Sequence, residues 1–314
     1  MTRTWVRVAI AAVALAAFAV VLIRVNVGSV LAAIGTMSWG WAIAAALANL
    51  LTVVVDAARW RVLVLPISRP SLLRATQALL LGFLGNLVLP YKLGDGARAV
   101  ALARWQELPI ATVAATVVLD RLVDAATFVL ATMVMTVAFE AQTPVKAPAR
   151  LGIVVIAILA TLAGGTWWMR RRSKGDRAGG HAAIKRFAAH ILDGLRALRE
   201  GRLLPAVAAL AVLAWIGRTS VIWCMLQAFH LRLPLLAAIG TLIAINVGIS
   251  VVAAPANAGV YEMSTAGALA AWGVPPAIGV SCGLAMHAAE VIPILLLGLA
   301  VLLTTGVRLT GSVD

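Results

Sequence analysis

The chain has 314 residues, 62% of them hydrophobic and 12% charged, with a mean hydropathy of +1.00, whereas a water-soluble domain carries about twice that charged fraction. This composition excludes a soluble globular protein, and apolar runs continuous for about 16–20 residues, without strand-like alternation, exclude a membrane β-barrel. The formal net charge of +14 does not read as nucleic-acid binding, because the basic residues cluster in short loops between apolar runs, where they meet anionic headgroups.

In chain order, Arg3 and Arg7 precede an apolar run ending at Ile23, and Arg24-Val25-Asn26 follows without a small-x-small cleavage pattern. This is an uncleaved first span rather than a signal peptide. Apolar runs near 5–23, 39–58, 72–89, 109–138, 151–169, 203–229, 233–253 and 276–305 predict an all-α polytopic membrane protein of about eight transmembrane helices. Trp5, Trp39, Trp41, Trp167 and Trp168 lie near span ends, as an interfacial belt requires. Cys224 and Cys282 sit in apolar stretches without CxxC or Cys/His spacing, so they predict neither disulfides nor a metal site.

Arg170-Arg171-Arg172 opens a segment in which Ile184, Phe187, Ile191, Leu195 and Leu198 recur at helical spacing among Lys185, Arg186, Arg196 and Arg199. It predicts an amphipathic, cytoplasmic linker over about 170–202. A second basic stretch, with Arg59, Arg61, Arg69 and Arg74, also calls for the cytoplasm, yet three conspicuous spans separate the two. An odd number of crossings leaves the orientation of the N-terminus open.

The sequence also matches itself. Pro90, Gly94, Pro109, Arg121 and Asp124 correspond to Pro255, Gly259, Pro275, His287 and Glu290, at offsets of 165 for the first two pairs and 166 for the others. The matched segments LPYKLGDGARAVALARWQELP and APANAGVYEMSTAGALAAWGVPP are too polar or too short for full crossings and are bounded by helix breakers. They predict two interrupted or re-entrant segments, turning at Pro90, Gly94 and Asp95 and at Pro255 and Gly259, within a first repeat of about 39–140 and a second of about 203–305. Such segments at corresponding places in two halves point to a transporter's binding site; the competing reading is matched connecting turns in a low-complexity sequence.

Asp120, Arg121 and Asp124 lie within five residues of an otherwise apolar run. A charge at the bilayer centre costs about 2.5–3.5 kcal/mol on insertion scales, so such residues face a bundle interior or a wet cavity. Arg121 and Asp124, at i and i+3, share a face. The readings that remain open are a staple, with Arg121 neutralised by the two aspartates, and a headgroup path. His287 and Glu290 form a hydrogen-bonded or protonatable pair by the same spacing, and no companion Glu/His set exists to make them a metal site. A half-helix starting near Gly94 would turn its N–H groups towards an anion, with Arg98 one turn inside.

On these residues the chain resembles the flippase-like family named for the lysylphosphatidylglycerol synthase transmembrane region. The carrying motifs are Leu89-Pro90 with Gly94-Asp95-x-x-Arg98, then Asp120-Arg121-x-x-Asp124, then Pro255, Gly259-Val260-Tyr261-Glu262 and Gly273-Val274-Pro275. Asp95 and Asp120 stand where the family usually has Glu, and Asn257-Ala258 where a Gly pair is common, reducing backbone freedom near Pro255. The resemblance implies movement of a lipid or lipid-linked headgroup across the cytoplasmic (inner) membrane, its headgroup contacted by Arg98, Asp120, Arg121, Asp124, Glu262, His287 and Glu290. The substrate would be an anionic or aminoacylated phospholipid or a glycolipid precursor.

The chain ends shortly after its last span, so a non-enzyme lacking the aminoacyl-transfer domain is expected. No cofactor or metal is expected either. Expected partners are membrane lipids, with a lipid-synthesising enzyme as a candidate and no nucleic acid. No GxxxxGK[ST] motif occurs, so energy would come from an ion gradient, a partner or the substrate's own gradient; the carboxylates and His287 allow proton coupling but do not show it. The alternatives are an intramembrane lipid-modifying enzyme using Asp120, Asp124 or Glu290 as acid or base, and a scaffold for an envelope-biosynthesis complex.

Overall fold

The computed structural model describes residues 35–88 (with Ala32), 94–140, 201–251 and 255–305. The expected spans at 5–23 and 151–169, the linker up to residue 200, and Pro90 lie outside the described residues. Every regular element among the described residues is helical: α1 (Trp39–Val64), α2 (Leu72–Val88), α3 (Gly94–Trp105), α4 (Ile110–Glu140), α5 (Leu204–Ala228), α6 (Leu235–Val251), α7 (Val260–Ala270) and α8 (Pro276–Thr304). Short 3₁₀ turns precede α5 and α7.

Prolines set several of these starts, because a missing N–H costs nothing in the first helical turn. α5 and α8 carry Pro in that turn, and the Pro109 carbonyl receives the Thr112 and Val113 N–H groups at the start of α4. α1, residues 201–228 and α8 are long and apolar enough to cross a membrane. α4 has 31 residues, which at 1.5 Å per residue is about 46 Å, and it carries Asp120, Arg121 and Asp124. Helices α1 to α4 have 26, 17, 12 and 31 residues and α5 to α8 have 25, 17, 11 and 29. The short helix thus comes third in both halves, and left-handed Glu107 and Gly273 follow the two short helices at positions 166 apart.

Two large apolar cores form, beside a small cluster of Leu63, Leu119 and Val207. One gathers Val53, Trp60, Leu79, Leu84, Leu102, Val113 and Leu302; the other gathers Ala45, Ile222, Met225, Leu242, Tyr261 and Met286. α1 and α8 contribute to both, so these two helices bind the halves together. Leu47, Leu51, Leu130, Val134, Leu296 and Leu303 are exposed, a surface that is stable against acyl chains and not against water.

The short helices seat on glycine. A Cβ at Gly94 would strike the Gly82 carbonyl and the Asn86 N–H of α2, so only glycine lets α3 lie this close. In α8, Gly279 and Gly283 face Ala266 and Glu262 of α7, where added Cβ atoms would sit 2.8 and 2.9 Å from their Cα atoms; this is small-residue packing as membrane helices use it. Pro293 inside α8 cannot donate to the Ala289 carbonyl four residues back. Asn49 of α1 supplies the donor instead, its amide 3.4 Å from the Ala289 and 3.3 Å from the Glu290 carbonyl.

Candidate functional site

Residues from α1, α3 and α4 close a ring of alternating charges. Arg59 meets Asp120 at 2.9 Å, Asp120 meets Arg98 at 3.0 Å, and Arg98 meets Asp95 at 3.4 Å. Asp95 then meets Arg121 at 2.6 Å, Arg121 meets Asp124 at 3.2 Å, and Asp124 returns to Arg59 at 2.7 Å. Asp56, 3.8 Å from Arg59, extends the ring to Arg218 of α5 at 2.7 Å. Four arginines and four aspartates make the assembly formally neutral. Removing one member would leave a buried charge uncompensated, which makes such assemblies all-or-nothing.

The burial is uneven. The side chains of Arg59 and Arg98 are 1% exposed, whereas Arg121 is 36% and Arg218 30% exposed. Arg98 Nε has only its 3.4 Å ion contact with Asp95, without hydrogen-bond geometry, and Nη2 finds no hydrogen-bond acceptor among the described residues; the Trp60 ring lies 5.0 Å from its Cζ and offers a π face to the cation. Trp60 is itself fixed by donating to the Thr116 hydroxyl at 3.1 Å. The ring therefore has a sealed side at Arg59 and Arg98 and an open side at Arg121.

The expected Arg121–Asp124 contact is present, but the staple is not the one expected. Asp120 pairs with Arg59 and Arg98, not with Arg121, because neighbouring residues on a helix point about 100° apart. Arg121 instead takes Asp95 with two parallel bonds, Nε and Nη2 each 2.6 Å from a carboxylate oxygen. α3 does begin at Gly94 with Arg98 one turn inside, but that guanidinium is already paired. Asp56, Arg59 and Arg218 join the network without any signal from spacing along α4. Arg59 was assigned to a basic loop, and α1 runs past it to Val64, which also takes Arg59 and Arg61 out of the argument about loop charge.

A second cluster lies where α7 meets α8. Glu262 Oε2 accepts the Gly259 N–H at 2.7 Å, capping α7, and its Oε1 lies 2.8 Å from His287 Nδ1. Tyr261 stacks on His287, the ring centroids 4.7 Å apart and the planes 6° from parallel. Glu290 acts electrostatically on both Tyr261 and His287. Spacing had paired His287 with Glu290, but its close partner is Glu262 on another helix. The preceding turn, which includes Pro255, holds Ala256 at φ 50°, Asn257 at φ 59° and Gly259 at φ 81°. Left-handed backbone is thus imposed on Ala256, which disfavours it, and adopted by Asn257, whose short polar side chain tolerates it.

The clusters share α1: Asn49 reaches the Glu290 carbonyl, and Asp56, seven residues and about two turns further on, enters the arginine ring. Among the described residues no three His, Cys, Asp or Glu side chains converge as a metal site requires. No curated protein matches the chain. The family profile described as the lysylphosphatidylglycerol synthase TM region matches residues 5–298. With nearly the whole sequence covered, the helical architecture and the charged membrane interior belong to a member of the lysylphosphatidylglycerol synthase transmembrane-region family.

Proposed function

We propose that the protein translocates a lipid or lipid-linked headgroup across the cytoplasmic membrane. The observation that carries this reading is Arg121. It sits within a helix of membrane length, bound in a neutral ring, yet 36% exposed. A neutral ring has no spare cation, so an anionic headgroup enters by exchange: a phosphate oxygen pair replaces Asp95 on the guanidinium fork, whose geometry suits either anion. Arg98 and Asp120 hold the sealed side rigid, Asp124 reports the exchange to Arg59, and the acyl or prenyl chains stay in lipid. Anionic or aminoacylated phospholipids and glycolipid precursors all present such a phosphate.

The test is a leaflet-accessibility assay in liposomes with fluorescent phosphatidylglycerol, aminoacyl-phosphatidylglycerol and polyprenyl-phosphate probes. Wild-type protein should move at least one probe, and folded Arg121→Ala and Asp124→Asn variants should lose the movement. Equal movement by wild type and variants, or none by wild type, would make the ring a structural staple and refute the reading.

A further inference from the structure

We propose that Glu262, His287 and Glu290 form a proton-binding site that couples the protein to a proton gradient, separate from the arginine ring that meets the headgroup. The coupling role rests on the translocase reading; the proton site itself does not.

The geometry fixes a hydrogen at Nδ1 and leaves the second ring nitrogen as the place where a proton is gained or lost. His287 Nδ1 and Glu262 Oε1 are 2.8 Å apart and both side chains are 5% exposed, so a hydrogen must lie between two atoms that otherwise present lone pairs to each other. The surroundings favour acceptors. Glu290 lies one turn beyond His287 on α8, and the Ala256 backbone adds to the acceptors that draw on the imidazole. Tyr261, stacked on His287, and Cys282 are further titratable neighbours among the described residues.

Among the described residues, no cation from the packed elements competes. α6 carries no charged residue. Arg218, the only charged residue of α5, is engaged by Asp56. On α1, the residue facing the cluster is neutral Asn49, while Asp56 and Arg59 belong to the ring and Arg61 bonds the Pro70 carbonyl. Arg74 of α2 lies over Trp105, its Cζ 5.0 Å from the ring.

The site is also mechanically placed. The same carboxylate that shares the proton caps α7 through Gly259 and follows a turn with two left-handed residues bearing side chains. With the proton in place, Glu262 holds the cap and His287 together. When the pair gives up a proton, Glu262 keeps the hydrogen on Nδ1 and the ring loses the one on Nε2, so the positive charge that draws the imidazole to the backbone of the turn at Ala256 and to Glu290 is gone. α1 then connects this event to the ring, since Asn49 and Asp56 are on the same helix.

Two measurements on the full chain in phosphatidylglycerol-containing liposomes decide the matter. The first follows the ¹⁵N shifts of the His287 ring through a pH titration. A proton gained and lost at this ring in wild type, with the response displaced or abolished in Glu262→Gln, supports the site; a ring that keeps one neutral tautomer across the range overturns it. The second compares probe movement with and without an imposed pH gradient. Wild type should accelerate severalfold with the gradient, while the ratio of the two rates should fall to unity in His287→Gln and Glu262→Gln. Gradient-insensitive movement in wild type would overturn the coupling. If wild type moves no probe but His287 titrates as described, the translocase reading fails, the coupling role falls with it, and the proton site stands.

Discussion

Arg121 and Asp95, on different helices, grip each other through two parallel N–H···O contacts of 2.6 Å each, the tightest link in the charged ring. Lysine keeps the charge but cannot present the fork. Arg121→Lys should therefore lower stability by about 1.5–3 kcal/mol, the worth of a hydrogen bond to a charged group, and slow probe movement. Denaturant titration in mild detergent alongside the leaflet assay checks both, and a lysine variant equal to wild type would mean that charge alone suffices.

Arg98 lies against Asp120 with almost no exposure on either side. Arg98→Ala strands part of the Asp120 charge and should cost about 3–5 kcal/mol, whereas Arg98→Met with Asp120→Leu restores neutrality and should cost much less. Comparing the two unfolding midpoints tests whether compensation, and not the individual arginine, stabilises the interior.

Asn49 serves the carbonyl that Pro293 leaves without a donor. Asn49→Leu should destabilise the protein by about 1–3 kcal/mol, the cost of an unmet buried acceptor. Replacing Pro293 with Ala in the same background should recover most of that loss, because the helix regains its own N–H.

The seat of α3 admits no side chain at Gly94, while an added Cβ at Gly96 meets nothing within 4 Å. Gly94→Ala should abolish folded yield, since the obstacles are backbone atoms that cannot move aside, and Gly96→Ala should be tolerated. Fluorescence-detected size exclusion distinguishes the two directly.

Ala256 holds φ 50°, a conformation that costs a residue with a Cβ about 1–2 kcal/mol. Ala256→Gly should therefore raise thermal stability, by about 1 kcal/mol after the entropy of the freer unfolded chain is counted. A drop in stability instead would show that the Ala256 methyl, which is buried, contributes more through packing than the backbone loses.

Much of this was legible in the sequence. Apolar runs gave the helices, paired prolines gave the two short ones, and the Asp120-Arg121-x-x-Asp124 motif gave one side of the ring. Local spacing reveals partners on the same helix, which is why Arg121 and Asp124 could be paired by inspection. It cannot reveal Arg59 beside Asp120, or Glu262 beside His287, because those contacts depend on how helices cross. A clue to Arg59 was nevertheless present: Asp56-x-x-Arg59 is another acid and base three apart at the end of an apolar run. Its nearness to Arg61 made it look like loop charge. The glycine seats were equally quiet, since Gly82, Gly85, Gly279 and Gly283 are unremarked in a chain with 26 glycines until a second helix lies on them.

Enclosing so many carboxylates alters the character of everything else. Asp56, Asp95, Asp120, Asp124, Glu262 and Glu290 are six of the chain's 12 acidic residues, while the clusters take four of its 26 lysines and arginines, leaving 22 basic residues against six acidic ones in the remaining sequence. That remainder is more basic than the whole. Basic segments beside a bilayer attract anionic lipids by about 1 kcal/mol per residue near the surface, so an excess of negatively charged lipid around the protein is the expected consequence of this division of charge.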